Sequence, residues 1–288
     1  MARQRTVEKK FFLEGKGLQT GRKVKAFFYP GKEREGIIFV RKDLNGKSPI
    51  CLLAMPELGG DGRRTTIGKM PDNYVETVEH LLAALWAAEI DNIKIELDSS
   101  EPPALDGSAL GFLEAFKKTG IKEQNAERKA IEIKRPLWVE DREAFLGIFP
   151  GGVFKISYIL ESRIPGAEKQ FFSKVLDPEV FREEIAPART IWMVPPGPGL
   201  LEEKAEAARK AGYGRGADSK NTLVIGEEGP INANPELPDE AVRHKVLDLI
   251  GDLYLLGRPL RARVIAVRAS HKLNLELVKK IREEYVCR

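Results

Sequence analysis

With 288 residues, 42% of them hydrophobic and 31% charged, the chain is long enough for two ordinary cores and too apolar to be disordered. Its net charge of +4 comes without a basic block interleaved with aromatics, which argues against a nucleic-acid partner and suits a small anionic substrate. No apolar run reaches the roughly 20 residues of a bilayer span, and the basic start "MARQRTVEKKFFLEGKG" has no apolar h-region, so neither a transmembrane segment nor a secretory signal is expected.

Read from the N-terminus, "VKAFFYPGKEREGIIFV" has the pattern of a hairpin, two strands about a turn at Pro30-Gly31. Cys51 and Cys287 lie far apart and outside any C-x-x-C pattern. That fits a reducing, cytoplasmic setting and argues against a disulfide scaffold or a cysteine-built zinc site. "YVETVEHLLAALWAAEIDN" then reads as a helix, "IKIEL" as a strand and "SALGFLEAFKK" as an amphipathic helix. The polar stretch "KEQNAERK", residues 122–129, is the expected boundary between a first unit, 1–124, and a second, 125–288.

The second unit opens on the same plan, "REAFLGIFPGGVFKISYIL", with a turn at Pro150-Gly151-Gly152. A Pro/Gly-rich start, the short helix "LLEEKAEAARKAG" and the strand "NTLVI" have no counterpart in the first half. They read as an insertion, and such insertions often carry binding function. "AVRHKVLDLIGDLYLLG", residues 241–257, is a helix stopped by Gly257 and Pro259, followed by the strand "ARVIAV" and the closing helix "HKLNLELVKKIREE". Aligned on V-x-H, His80 falls on His244. Ordinary α+β patterning and true duplication both produce such an order; duplication would make the two histidine helices equivalent elements of two similar domains.

The helix of His244 carries a narrow polar stripe. At 100° per residue, Asp248 lies about 40° from His244, Asp252 about 80° and Lys245 about 100°, with aliphatic residues elsewhere. The stripe fits the wet face of an amphipathic helix or a buried site. In the other half, Glu79 and His80 precede the uncharged run "LLAALWAA", which reads as buried. An ionised Glu79 there costs several kcal/mol unless a cation is near. Two histidines and an aspartate form an N,N,O ligand set, which leaves a fourth position open, the arrangement of catalytic zinc. His271 sits where a loop meets a helix. It reads either as a residue near an N-cap or as a general acid oriented by Asp252.

Taken together, "LEGKGLQTG", "TVEHLLAAL", "EPPALDGSALGFLEAF", "KNTLVIG", "RHKVLDLIGDLYLLG" and "ASHKLNLELV" resemble the zinc-dependent UDP-3-O-acyl-N-acetylglucosamine deacetylases of lipid A synthesis, along nearly the whole chain. The resemblance implies an α+β fold of two similar domains, each a sheet with two helices, the helices sandwiched between the sheets. It also implies a cytoplasmic enzyme acting on an acylated UDP-sugar. His80, His244 and Asp248 match the family's ligands for zinc, with iron as the alternative ion. Glu79 matches its general base, His271 its general acid and Asp252 the acid's partner. Lys245 and Thr190 match groups that hold the carbonyl oxygen and its oxyanion. The insertion, about Ile191 to Val224, corresponds to the family's acyl passage. Lys220, Arg243 and Lys245 are candidates for the UDP diphosphate. The chain departs from the family pattern at Ile191, where Phe is common, and at Ala269 and Ser270, where glycines are usual. These departures bear on substrate contacts and remove no catalytic group.

Overall fold

The structure is a computed structural model and describes residues 2–59, 62–162, 164, 169–195, 197 and 199–286. Cys287, and Pro196 and Pro198 of the expected insertion, lie outside the described residues. The α-helices among the described residues are α1 (Glu79–Ala87), α2 (Leu110–Thr119), α3 (Pro178–Glu184), α4 (Leu201–Lys210), α5 (Glu240–Tyr254) and α6 (His271–Ile281).

Each half builds a sheet of the same design. The first runs Phe11–Lys16, Lys23–Pro30, Ile93–Leu97, Ile37–Arg41 and Ile50–Cys51 in space. The second runs Leu137–Asp141, Ala144–Pro150, Leu260–Val267, Lys155–Leu160 and Gln170–Val175, with a short strand, Ile131–Glu132, also paired to Leu260–Val267. In both, the central strand is parallel to the fourth, and the other neighbours in these orders are antiparallel. The recurrence in the sequence is therefore a recurrence of fold.

Neither expected hairpin forms. Ile93–Leu97 inserts between the strands flanking Pro30-Gly31, and Leu260–Val267 inserts between those flanking Pro150-Gly151-Gly152. A turn signal is local, whereas each inserted strand arrives only after a helix that crosses the sheet, as parallel pairing requires. Two further readings shift. The polar stretch at 122–129 is largely strand: Ile121–Glu127 pairs antiparallel with Arg3–Val7 and spans the expected division at 124/125. The start of "YVETVEHLL" is the strand Asn73–Glu76. Thr77, at φ 55°, makes the corner into α1, a left-handed conformation that a β-branched residue rarely adopts.

Strand alternation sends one face of each sheet inward: Ile93, Ile95 and Leu97 in the first, Leu260, Ala262, Val264 and Ala266 in the second. Helices cover both inner faces. Phe116 of α2 stands edge-on to Phe11 and Phe28. In the other half, α6 lies on Leu137–Asp141 and Ala144–Pro150, and α5 on Lys155–Leu160 and Gln170–Val175. α1 and α5 meet in the middle, which is why "LLAALWAA" has no polar face. The order of layers is sheet, helices, sheet.

Gly251 sets the α1–α5 approach. A Cβ there would lie 2.0 Å from the Glu79 carbonyl oxygen, a backbone atom that cannot swing away. Gly251→Ala is expected to push α5 off α1 and lower stability by about 1–3 kcal/mol. Urea unfolding checks this; an unchanged midpoint would show that the helices separate freely.

Candidate metal and catalytic centre

The α1–α5 contact joins the two halves of the site. Glu79 and His80 open α1, while His244, Lys245, Asp248 and Asp252 project from successive turns of α5. His271 opens α6, which packs on α5. All of these except Lys245 are buried, so the polar stripe of α5 is not its wet face.

His80, His244 and Asp248 each present a ligand atom, all within 4.8 Å of one another. Asp248 Oδ1 lies 3.6 Å from His80 Nε2 and 3.5 Å from His244 Nε2. It is buried and takes no hydrogen bond among the described residues. A carboxylate oxygen left bare between two imidazole nitrogens is costly unless a cation binds there. The tautomer of His244 agrees. Its Nδ1 lies 3.1 Å from the Ala188 carbonyl, which can only accept, so Nδ1 carries the proton and Nε2 keeps its lone pair. Burial lowers the pKa of His244 to about 4, which favours the neutral ring a metal needs. The residues present fit a divalent metal.

Around this group stand the proton-handling candidates. His271 Nε2 lies 3.5 Å from Asp248 Oδ2 and 4.0 Å from Glu79 Oε1, while its Nδ1 donates to Asp252 Oδ2 at 2.8 Å. Burial disfavours the His271 cation, but the charges of Asp252 and Asp248 outweigh burial and hold its pKa well above the usual value. Burial pushes Glu79 up to about 7, against the opposing pull of His271 and His80. Lys245, partly exposed at its side chain, donates to Asp248 Oδ2 at 2.7 Å; partial desolvation disfavours its charge, and Asp248 restores it. Asp248 in turn stays well below the carboxylate range: burial alone would raise it, and Lys245 and His244 more than compensate.

Four supporting groups have roles that no residue pattern in the sequence signals. The Thr65 hydroxyl donates to Asp252 Oδ1, and its backbone N–H donates to Glu79 Oε2 at 3.2 Å, so one residue touches both proton-handling arms. It lies in the short polar stretch "RRTTIG", where no periodicity marks it. Asn274 Nδ2 donates to Asp252 Oδ2 at 2.8 Å. Tyr158 reads as a core strand residue, yet its hydroxyl holds the Ala269 carbonyl, two residues before His271. Ala188 acts through a carbonyl and has no side-chain signal.

The remaining candidates lie outside this cluster of contacts. Thr190 begins the strand Thr190–Met193, and its hydroxyl donates to the Gly107 carbonyl at 3.0 Å. Ile191 is half-buried beside Leu223 in the parallel partner strand. That partner, Thr222–Gly226, closes the insertion, whose helix α4 has no buried residue. Lys220 is exposed. Arg243 divides its guanidinium between Asp239 and Glu184, so an anionic substrate there would compete with two carboxylates.

Comparison with known proteins bears on what this centre does. The family model of LpxC, described as UDP-3-O-acyl N-acetylglycosamine deacetylase, matches residues 4–283. A Chlamydia felis protein named UDP-3-O-acyl-N-acetylglucosamine deacetylase is 37% identical over 98% of this chain and 97% of its own length. Proteins of the same name are 36% identical in Syntrophotalea carbinolica, over 98% of this chain and 88% of theirs, and 35% identical in Myxococcus xanthus, over 99% and 88%. Matched from end to end at this identity, the chain belongs to the LpxC family of UDP-3-O-acyl N-acetylglycosamine deacetylases and is a hydrolase.

Proposed function

We propose that this protein is a cytoplasmic, zinc-dependent deacetylase that removes the N-acetyl group of UDP-3-O-(3-hydroxyacyl)-N-acetylglucosamine, releasing acetate, in lipid A biosynthesis. The observation that carries the reading is the bare, buried Asp248 Oδ1 between His80 and His244, with Glu79 and the His271–Asp252 pair beside the group. The names of the relatives supply the substrate class. No helix among the described residues is long and apolar enough to cross a membrane.

Amide hydrolysis needs an activated water, a place for negative charge and a proton for the leaving nitrogen. His80, His244 and Asp248 would hold zinc, which would supply Lewis acidity for a bound water and for the scissile carbonyl. Glu79 accepts the proton of the attacking water, with Thr65 N–H fixing its second oxygen. Lys245, whose ammonium has donors beyond its bond to Asp248, and Thr190, once its hydroxyl turns from the Gly107 carbonyl, hold the oxygen on which charge develops. His271 gives its proton to the departing glucosamine nitrogen, and Asp252 keeps it charged and oriented until then. The insertion, with Ile191 and the half-buried side of α4, forms the acyl passage; Lys220 is a cation for the diphosphate, and Arg243 serves there only if substrate displaces Asp239 or Glu184. Iron(II) in place of zinc would use the same donor set.

The direct test is acetate release from acylated and non-acylated UDP-N-acetylglucosamine, before and after chelation and on return of zinc or iron(II). No release from the acylated substrate by the metal-loaded protein would overturn the reading.

The pH profile tests the proton assignments. Activity requires Glu79 ionised and His271 protonated, so kcat/KM is expected to be bell-shaped. Asp252 raises the His271 pKa, so Asp252→Asn lowers it, and the working cation is lost at a lower pH. The basic limb should therefore move to lower pH, with the acidic limb still governed by Glu79. If the basic limb of Asp252→Asn superimposes on that of the wild type, His271 is not the acid.

A further inference from the structure

The polar stripe of α5 starts one turn earlier than its metal-binding face. Glu240, His244, Asp248 and Asp252 recur every four residues, and all four are buried. Glu240 is the first helical residue, where a carboxylate ordinarily sits in water near the positive end of the helix dipole. Here its side chain is 1% exposed and paired with Arg189, itself 7% exposed.

The pairing is complete on the Glu240 side. Oε1 accepts from Arg189 Nε and from the Arg189 backbone N–H, both at 2.9 Å. Oε2 accepts from Arg189 Nη2 at 3.0 Å and from the Glu236 backbone N–H at 2.7 Å. Arg189 Nη2 also reaches the Asn234 carbonyl at 2.8 Å. Such a buried fork yields little net stability, because desolvating two charges offsets most of their attraction. What it supplies is a fixed geometry between the two segments it joins.

Those segments are the start of α5 and the run Ala188-Arg189-Thr190. Ala188 holds the His244 ring through its carbonyl, and Thr190 is the candidate oxyanion residue. The run is anchored to the first half as well: two residues before it Ala186 O accepts from Ala109 N, and within it Thr190 N and Oγ1 both donate to Gly107 O. Arg189 therefore sits between the carbonyl that meets the His244 ring and the candidate oxyanion residue, and ties both to the helix carrying His244, Lys245 and Asp248.

We propose that Arg189 and Glu240 are a positioning pair for the metal centre: their fork holds the Ala188 carbonyl against His244 Nδ1 and so aims Nε2 at the metal. The inference rests on His244 being a metal ligand. Neither residue touches the metal or the reacting atoms.

The test compares the wild type, Arg189→Lys, Arg189→Met and the double variant Arg189→Met/Glu240→Leu. Zn2+ affinity is measured by chelator competition, the visible spectrum is recorded after loading with Co2+, and thermal unfolding is followed without added metal. Arg189→Met leaves a buried carboxylate unpaired and can fail to fold; the double variant replaces the pair with apolar side chains and keeps the test open. The expected result is a double variant that melts near the wild type yet binds Zn2+ about 10–100-fold more weakly, the usual cost of losing a group that orients a ligand. Its Co2+ bands should be displaced. Arg189→Lys keeps the charge but not the fork, and should remain weakened. A double variant with wild-type Zn2+ affinity and an unchanged Co2+ spectrum would overturn the inference and leave the metal site standing. A wild-type protein that binds no metal would bring down the metal reading itself, and this inference with it.

Discussion

His244→Ala should yield a folded protein that binds divalent metal orders of magnitude more weakly than the wild type. In the proposed site the ring is one of three protein ligands, and a site of three has no spare donor. The substitution also leaves the Ala188 carbonyl without its N–H partner, which costs about 1–3 kcal/mol. A modest fall in melting temperature is therefore expected and is separate from the loss of metal. Metal content after gel filtration and affinity by chelator competition, read beside circular dichroism, distinguish the two. Asp248→Asn is the companion variant, because it keeps the shape and removes the charge that faces both imidazoles. Metal retained by His244→Ala at wild-type affinity would remove it from the ligand set.

The candidate site is legible where local geometry carries it. His244, Asp248 and Asp252 lie one turn apart, and a helix turns that spacing into a single stripe whatever else the chain does. Glu79 and His80 stood out because an uncharged helix must be buried, and the structure sets that helix against α5. The same four-residue spacing reaches back to Glu240. Other parts had no local signal. The strands beside Pro30-Gly31 look like a hairpin because nothing near them announces that Ile93–Leu97 will come between. Strand Ile121–Glu127 reads as polar linker because it mostly faces solvent and its partner is at the other end of the domain. Ala188 contributes only a carbonyl, and Thr65 meets Glu79 and Asp252 only once the fold is assembled. The candidate substrate-binding residues are the hardest to read. Lys220 is one exposed cation among many, and what Arg243 faces depends on the placement of Glu184, far from it in sequence.

Glu79→Gln should keep the metal and lose about 10²–10⁴-fold in kcat, the usual cost of removing a general base. Gln has the shape of Glu and retains an oxygen for the Thr65 N–H, so α1 and its contact with α5 should survive. It cannot take a proton from water. The burial that pushes Glu79 up to about 7 also places its proton affinity where a base works best near neutrality. KM should change little, because the lost interaction forms only as the water is deprotonated. The measurements are metal content, kcat and KM on the acylated substrate. Near-wild-type kcat with full metal would hand the base role to another group, and His271, 4.0 Å away, would be the next to test. Loss of metal in Glu79→Gln would instead mark Glu79 as a fourth ligand, since the substitution removes its charge without changing its shape.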